Sequence, residues 1–312
     1  MTSLSNKIET MAAESGIELG VAIRHIESGE EAMHNADSLF VLASAVKVPV
    51  LVEAFHQVEA GGLRLDERLF LRQESKVLGS GLLTFMEDGL CPTVKDLLTL
   101  MIIISDNTAT DILLERLGIQ NVDETMHRLG LSNIHVAYTI HGLFEDMLPS
   151  ADPAQDRYEL ARYRQKHGVD RSGFAFQLIP ENNVGSPRDL TRLMEMIFKG
   201  EAASREACDA MLEILLKQQL NDRLPRSLPV GTRVAHKTGS FEGVRNDTGI
   251  IYVNESSHIA ITTLARWNEA AYLKDVAQQR ERGGKIDGLM GNIALAAYQE
   301  FGGATTPTVQ PC

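Results

Sequence analysis

Residues 94–104 read Val-Lys-Asp-Leu-Leu-Thr-Leu-Met-Ile-Ile-Ile. As a helix this run is apolar on nearly every face, so it has to lie inside a group of other helices. Thr93, just before it, has the chemistry of a helix cap. Helical patterns surround it in the chain, at 44–59, 108–117, 121–129, 187–199 and 204–218. Strand patterns lie at the two ends instead: 18–26 with a short return at 31–35, then 231–238, 247–253 and 258–266. Helices at 3–15 and 287–301 bracket the whole. The end strands can pair into one antiparallel sheet, which predicts an α+β fold with the terminal helices flanking the sheet and an all-helical lobe beside it. On this reading 1–312 is a single domain. Residues 1–38 and 200–301 form the sheet lobe, 39–199 the helical lobe and 302–312 a flexible tail. A cleft between the lobes is the natural site.

A net charge of −12 over 312 residues argues against nucleic acid or an anionic membrane surface as a partner. No apolar run is long enough to span a bilayer. Residues 1–20 lack the basic start and apolar centre of a secretory signal, so a cytoplasmic location is expected, or a secreted one if the start is that of a mature form. Cys91, Cys208 and Cys312 are odd in number and far apart, which suits a reducing compartment and neither a disulfide framework nor a zinc cluster. The nine histidines show no ligand spacing, and His236 reads as a strand residue pointing away from its neighbour Lys237. No metal and no cofactor are expected.

Three short stretches carry the chemistry. In Phe40-Val-Leu-Ala-Ser-Ala-Val-Lys-Val48, a helix starting near Ser44 puts Ser44 and Lys47 on one face, one turn apart. An apolar setting disfavours the ammonium form of Lys47, and the neutral amine can then accept the hydroxyl proton of Ser44. Pro49 fits only the first turn of such a helix. Ser105-Asp106-Asn107 follows the apolar helix; Ser105 and Asn107 either cap the next helix or face Ser44. Lys237-Thr238-Gly239 lies on the first late strand, offering a fixed charge, a hydroxyl and a glycine where a substrate backbone can come close.

In this order, Ser-x-x-Lys, Ser-Asp-Asn and Lys-Thr-Gly resemble the signature of the class A β-lactamases and penicillin-binding proteins. The resemblance runs from about Glu18 to Phe301 and includes the spacing from Ser44 to Ser105. It implies that Ser44 is the acylated nucleophile and Lys47 its proton acceptor or relay. Ser105 would pass a proton toward the leaving nitrogen, and Lys237 would hold Ser105 and attract a substrate carboxylate. Asn107 would orient the substrate amide, Thr238 and Gly239 would line the substrate strand, and the N–H groups of Ser44 and Ser240 would form the oxyanion hole. Arg245 resembles the arginine that some members use for the substrate carboxylate; a plain turn arginine fits equally. Asp247 reads as structural.

The departures bear on the substrate. A class A enzyme carries Glu-x-x-Leu-Asn in its omega loop, and that glutamate is the deacylation base. Here the nearest match is Phe144-Glu-Asp-Met-Leu-Pro149, where Glu145 and Leu148 fit but proline replaces the asparagine. About two dozen extra residues then precede Ser186-Pro187. Glu181 is a second candidate base. The primary expectation is a serine hydrolase opening β-lactam amides through Ser44, with Glu145 as base. The alternatives are a hydrolase of another small amide, ester or D-amino-acid peptide, and a slow-deacylating β-lactam-binding protein. In each case the partner is a small-molecule amide or ester.

Overall fold

The computed structural model describes residues 3–148, 157–268 and 276–303. In chain order these form α1 (Ser3–Ser15), β1 (Glu18–His25), β2 (Glu31–His34), β3 (Phe40–Val41), α2 (Lys47–Glu59), α3 (Val94–Ile103), α4 (Asn107–Leu117) and α5 (Ile119–Arg128). There follow β4 (Ile134–His135), α6 (Ile140–Met147), α7 (Arg157–His167), β5 (Val184–Gly185), α8 (Pro187–Lys199) and α9 (Arg205–Leu215). The chain closes with β6 (Arg233–Phe241), β7 (Val244–Asn254), β8 (Ser257–Arg266) and α10 (Val276–Glu300).

The five long strands form one antiparallel sheet in the order β2-β1-β8-β7-β6. Alternation along β1 explains its two faces. Leu19, Val21 and Ile23 pack with α1 and α10, around Leu4, Ile8, Met290 and Ile293. Gly20 and Ala22 face the other way, toward α8. A Cβ on Gly20 would lie 2.7 Å from Pro187 and 2.5 Å from the Phe40 ring, so only glycine lets α8 sit this close. Thr191 of α8 donates to the Ala22 carbonyl in the same contact. The second apolar core lies on that side and holds Val50, Leu51, Leu97, Leu98, Leu113, Leu190 and Met211. The expected α+β arrangement of antiparallel sheet, flanking terminal helices and helical region is the one observed.

α3 begins at Thr93 in a reciprocal capping box with Asp96, and buries Val94, Leu97, Leu98, Met101 and Ile102. Its exposed side is narrow, carrying Lys95 and Asp96.

Three features differ from the sequence reading. A second, three-stranded sheet, β3-β5-β4, is made of two-residue strands too short to leave a pattern. α10 starts at Val276 rather than 287, because its first turns are polar and carry Gly283 and Gly284. Residues 139–186 show no clear period in the sequence beyond a charged surface helix expected at 154–167; among the described residues α6, α7 and β5 lie there, and buried Asn182 and Asn183 pin the chain before β5. Asn182 donates to the Phe174 and Gln177 carbonyls, and Asn183 accepts from the Ala137 and Tyr138 N–H groups. Of the expected tail at 302–312, residues 304–312 lie outside the described residues, as do 154–156 of the expected surface helix at 154–167. Cys91 and Cys208 are free thiols. Among the described residues, no helix is long and apolar enough to cross a membrane.

Candidate active site

β3 leads into a tight 3₁₀ turn, Ala43–Val46, which runs straight into α2. In a 3₁₀ turn residues i and i+3 eclipse, so Ser44 and Lys47 point to the same side more closely than an α-helix would place them. The turn carries strain: Ala43 has φ 47°, a conformation that costs an alanine about 1 kcal/mol or more. Pro49 sits in the first turn of α2, where its missing N–H leaves no partner wanting.

Lys47 is fully buried. Its Nζ donates to the Ser105 carbonyl at 2.8 Å, to Asn107 Oδ1 at 2.8 Å and to Ser105 Oγ at 3.1 Å. Burial pulls its pKa down to about 7, against the fields of Asp106 and Asp111, which favour the charge. The amine therefore changes protonation state near neutral pH. When it loses a proton, one of the three bonds gives way to a lone pair.

Ser105 joins α3 to α4 at φ 58°, again a strained conformation for a side-chain-bearing residue. The cap of α4 is Asp106, not Ser105 or Asn107: its Oδ1 accepts from the Ala109 N–H, and its Oδ2 accepts from the N–H groups of Leu82 and Leu83. Capping thus falls to the middle residue, leaving the outer two for the site. The stretch Gly79-Ser80-Gly81 wraps this turn. A Cβ on Gly81 would fall 2.4 Å from Asp106, and Ser80 Oγ donates to the Ser105 carbonyl at 2.7 Å.

β6 is an edge strand, and its free edge faces the serine turn. Lys237 is fully buried; its Nζ donates to Ser105 Oγ at 3.2 Å and to the Thr238 carbonyl at 2.7 Å. Burial and the neighbouring Lys47 hold it well below the ordinary lysine range. Ser105 Oγ thus accepts from both lysines, which occupies its two lone pairs and leaves its own proton for the cleft. A Cβ on Gly239 would meet the Leu42 carbonyl at 2.6 Å and the Ala45 N–H nitrogen at 3.0 Å. The sequence reading assigned this glycine to a substrate backbone; what it admits is the backbone of the serine turn. Asn246 fastens the same contact by donating to the Val41 and Leu42 carbonyls.

His236 points to the opposite face, where it contacts Asp247 at 2.9 Å; Asp247 also accepts from the Leu224 N–H. Arg223 had no signal in the sequence. It is buried, pairs with Asp287 at 2.9 Å and donates to the Gly239 and Asn246 carbonyls and to Ser240 Oγ. Arg245 lies opposite Ser240 in the β6–β7 register, donates to the Val244 carbonyl and stands over the Trp267 ring at 5.7 Å.

These groups open on a cavity of ≈ 520 Å³, lined by Ser44, Ser80, Ser105, Asn107, Thr238, Ser240 and Arg245. The facing wall is α6, which presents Ile140, Leu143, Phe144 and Met147. Glu145 does not reach it. Its side chain is 70% exposed and pairs with His141, one turn earlier, at 3.3 Å. The helical period that points Phe144 and Met147 into the cavity points Glu145 to solvent. Glu181 is exposed as well and lies near His135. Neither carboxylate expected from the sequence is brought to the serine, and among the described lining residues the one carboxylate is Glu242, on the β6–β7 turn.

The profile of the "Beta-lactamase enzyme family" matches residues 3–301. A β-lactamase from Sphaerobacter thermophilus is 30% identical, with a TM-score of 0.74 over 95% of this chain and 96% of that one. PBP-A is 25% identical, with a TM-score of 0.76 over 96% of each chain, and a point mutant of it has been solved as an acyl-enzyme complex with penicillin-G. A Streptomyces lavendulae β-lactamase is 30% identical over 79% of this chain and 73% of its own length. The chain belongs to the β-lactamase enzyme family of serine hydrolases.

Proposed function

We propose that this protein opens the amide of a β-lactam ring by forming an acyl-enzyme on Ser44. The observation that carries the reading is the convergence of two fully buried lysines on Ser105 Oγ beside a cavity that Ser44 lines. Neutral Lys47 takes the Ser44 proton as Oγ attacks the carbonyl. The N–H groups of Ser44 and Ser240 receive the oxyanion. The ring C–N bond breaks as Ser105 gives its proton to the nitrogen, and Lys47 returns a proton to Ser105. Lys237, Thr238 and Arg245 hold the substrate carboxylate, and Asn107 the side-chain amide. On this reading the reaction takes place where the helical part, 39–199, meets the sheet part, 1–38 and 200–301.

Water must then clear the ester. The apolar α6 wall and the outward position of Glu145 favour a slow second step, so turnover is limited by deacylation. The same observation favours the second reading, a β-lactam-binding protein that is acylated and rarely released. Intact-mass measurement over time, after brief exposure to a penicillin and to an activated ester, tests both. An adduct on Ser44 that decays with release of opened penicillin supports hydrolysis; an adduct that persists supports the binding protein. Turnover of the ester with no penicillin adduct would overturn the β-lactam assignment.

A further inference from the structure

Away from the cleft, α5 and β4 bring together a group that the proposed reaction does not use. Asp123 and His127 are four residues apart on α5, which places carboxylate and imidazole on one helix face. The chain turns back through β4 and sets His135 against the same face. Asp123 lies 3.4 Å from His127 Nε2 and 3.8 Å from His135 Nδ1, and one ligand atom from each of the three lies within 4.8 Å of the others. The two imidazoles meet edge to face with centroids 5.4 Å apart.

We propose that Asp123, His127 and His135 bind one divalent transition-metal ion, with the preference for zinc, cobalt or nickel that two imidazoles and a carboxylate give. Tetrahedral zinc with bonds of 2.0–2.1 Å needs ligand atoms about 3.3 Å apart, so small rotations of the two rings complete the site. His127, 45% exposed, has room to make one. Asp123 is already oriented: its Oδ1 accepts from the Val136 N–H at 2.9 Å, the kind of outer bond that fixes a ligating carboxylate. His135 is 13% exposed and is held by the pairing of β4 with β5. Glu181 acts electrostatically on the His135 ring and adds negative charge beside the site. Three protein ligands with an open side leave the remaining position to water.

None of the three residues lines the catalytic cavity, so metal binding and β-lactam chemistry are separable. β4 pairs with β5, whose neighbour Asn183 accepts from the Leu42 N–H two residues before Ser44. A bound ion therefore braces the small sheet that carries the serine turn, and the melting temperature rises with metal concentration.

The test is titration of the chelator-treated protein with cobalt(II), read by visible absorption, with zinc(II) as competitor and penicillin acylation as the control for folding. One ion per chain is expected, displaced by zinc. His127→Ala, His135→Ala and Asp123→Asn should each weaken binding at least about 100-fold, at or beyond the upper end of outer-shell losses, with acylation unchanged. A wild-type protein with no saturable cobalt band would overturn the proposal. So would undiminished binding by the His127→Ala/His135→Ala double variant.

Discussion

On one wall of the cleft, Lys47 and Lys237 are buried and both donate to buried Ser105; on the other, α6 offers Ile140, Leu143, Phe144 and Met147. The polar wall is costly to build. It buries two amines and holds Ala43 and Ser105 in left-handed backbone conformations. The apolar wall is an ordinary amphipathic helix, anchored by Thr139 at its cap and by Asp111, which accepts from the Ile140 and His141 N–H groups. Strain and burial are thus concentrated where the proposed acyl-enzyme forms. The wall facing it is set up to enclose a substrate rather than to activate water.

The polar wall is most sensitive at Lys47. Lys47→Ala should slow acylation by about 10²–10⁴-fold, the usual worth of a positioned general base. Stopped-flow acylation with a chromogenic cephalosporin measures it, and equal rates in the two proteins would remove Lys47 from the mechanism. Arg223 tests the support behind the polar wall. Arg223→Ala leaves Asp287 buried with Arg245 farther off, at 3.7 Å, and frees the carbonyls of Gly239 and Asn246. A loss of about 3–5 kcal/mol in urea unfolding is expected, as for other broken buried pairs. Gly239→Ala comes next. Its Cβ would meet backbone, not a flexible side chain, so the cost is about 1–3 kcal/mol together with a displaced serine turn and weaker acylation.

A smaller effect follows from the lowered pKa of Lys47. In the proposed mechanism the neutral amine is the competent form, so below about pH 7 the acylation rate should fall about tenfold per unit, and above it should level off. Stability has the same sign. Between about pH 7 and the ordinary lysine value of 10.5, the unfolded chain holds a proton that the folded one has released, so stability rises with pH across that window. A pH–rate profile for acylation that is flat from 6 to 8 would contradict the assignment.

The polar wall was legible in the sequence and the apolar wall was not. Ser44, Lys47, Ser105, Asn107 and Lys237 belong to short motifs whose spacing is local; Lys237 sits on the expected strand and Ser105 follows the expected helix, while Ser44 lies in a 3₁₀ turn just before the helix expected to hold it. Long-range support left no such trace. Arg223 and Ser80 become recognisable only once β6, α10 and the 79–81 turn are in place, and the two-residue strands of the small sheet are shorter than any periodicity. Asp106 took the capping role because its carboxylate accepts from both the helix and the Leu82–Leu83 turn, a competition a motif cannot display. Glu145 matched a motif by spacing alone. Its motif lacks the asparagine, and the turn of α6 rotates the carboxylate toward solvent.

That rotation yields the smallest expected effect. If the two walls differ as described, Glu145→Gln and Glu181→Gln should each leave the deacylation rate within about twofold of the parent, since neutralising a carboxylate outside the cavity moves no proton at the ester. Glu145→Gln removes only an exposed pair with His141, worth at most about 0.5 kcal/mol. Glu181→Gln removes a charge near His135 and should show itself in metal binding rather than in catalysis. Decay of the penicilloyl adduct, followed by intact mass in parent and variants, is the measurement. A long-lived adduct appearing in only one variant would identify that glutamate as the base. The α6 wall would then have to move during the reaction, and the contrast between the walls would hold only for the resting enzyme.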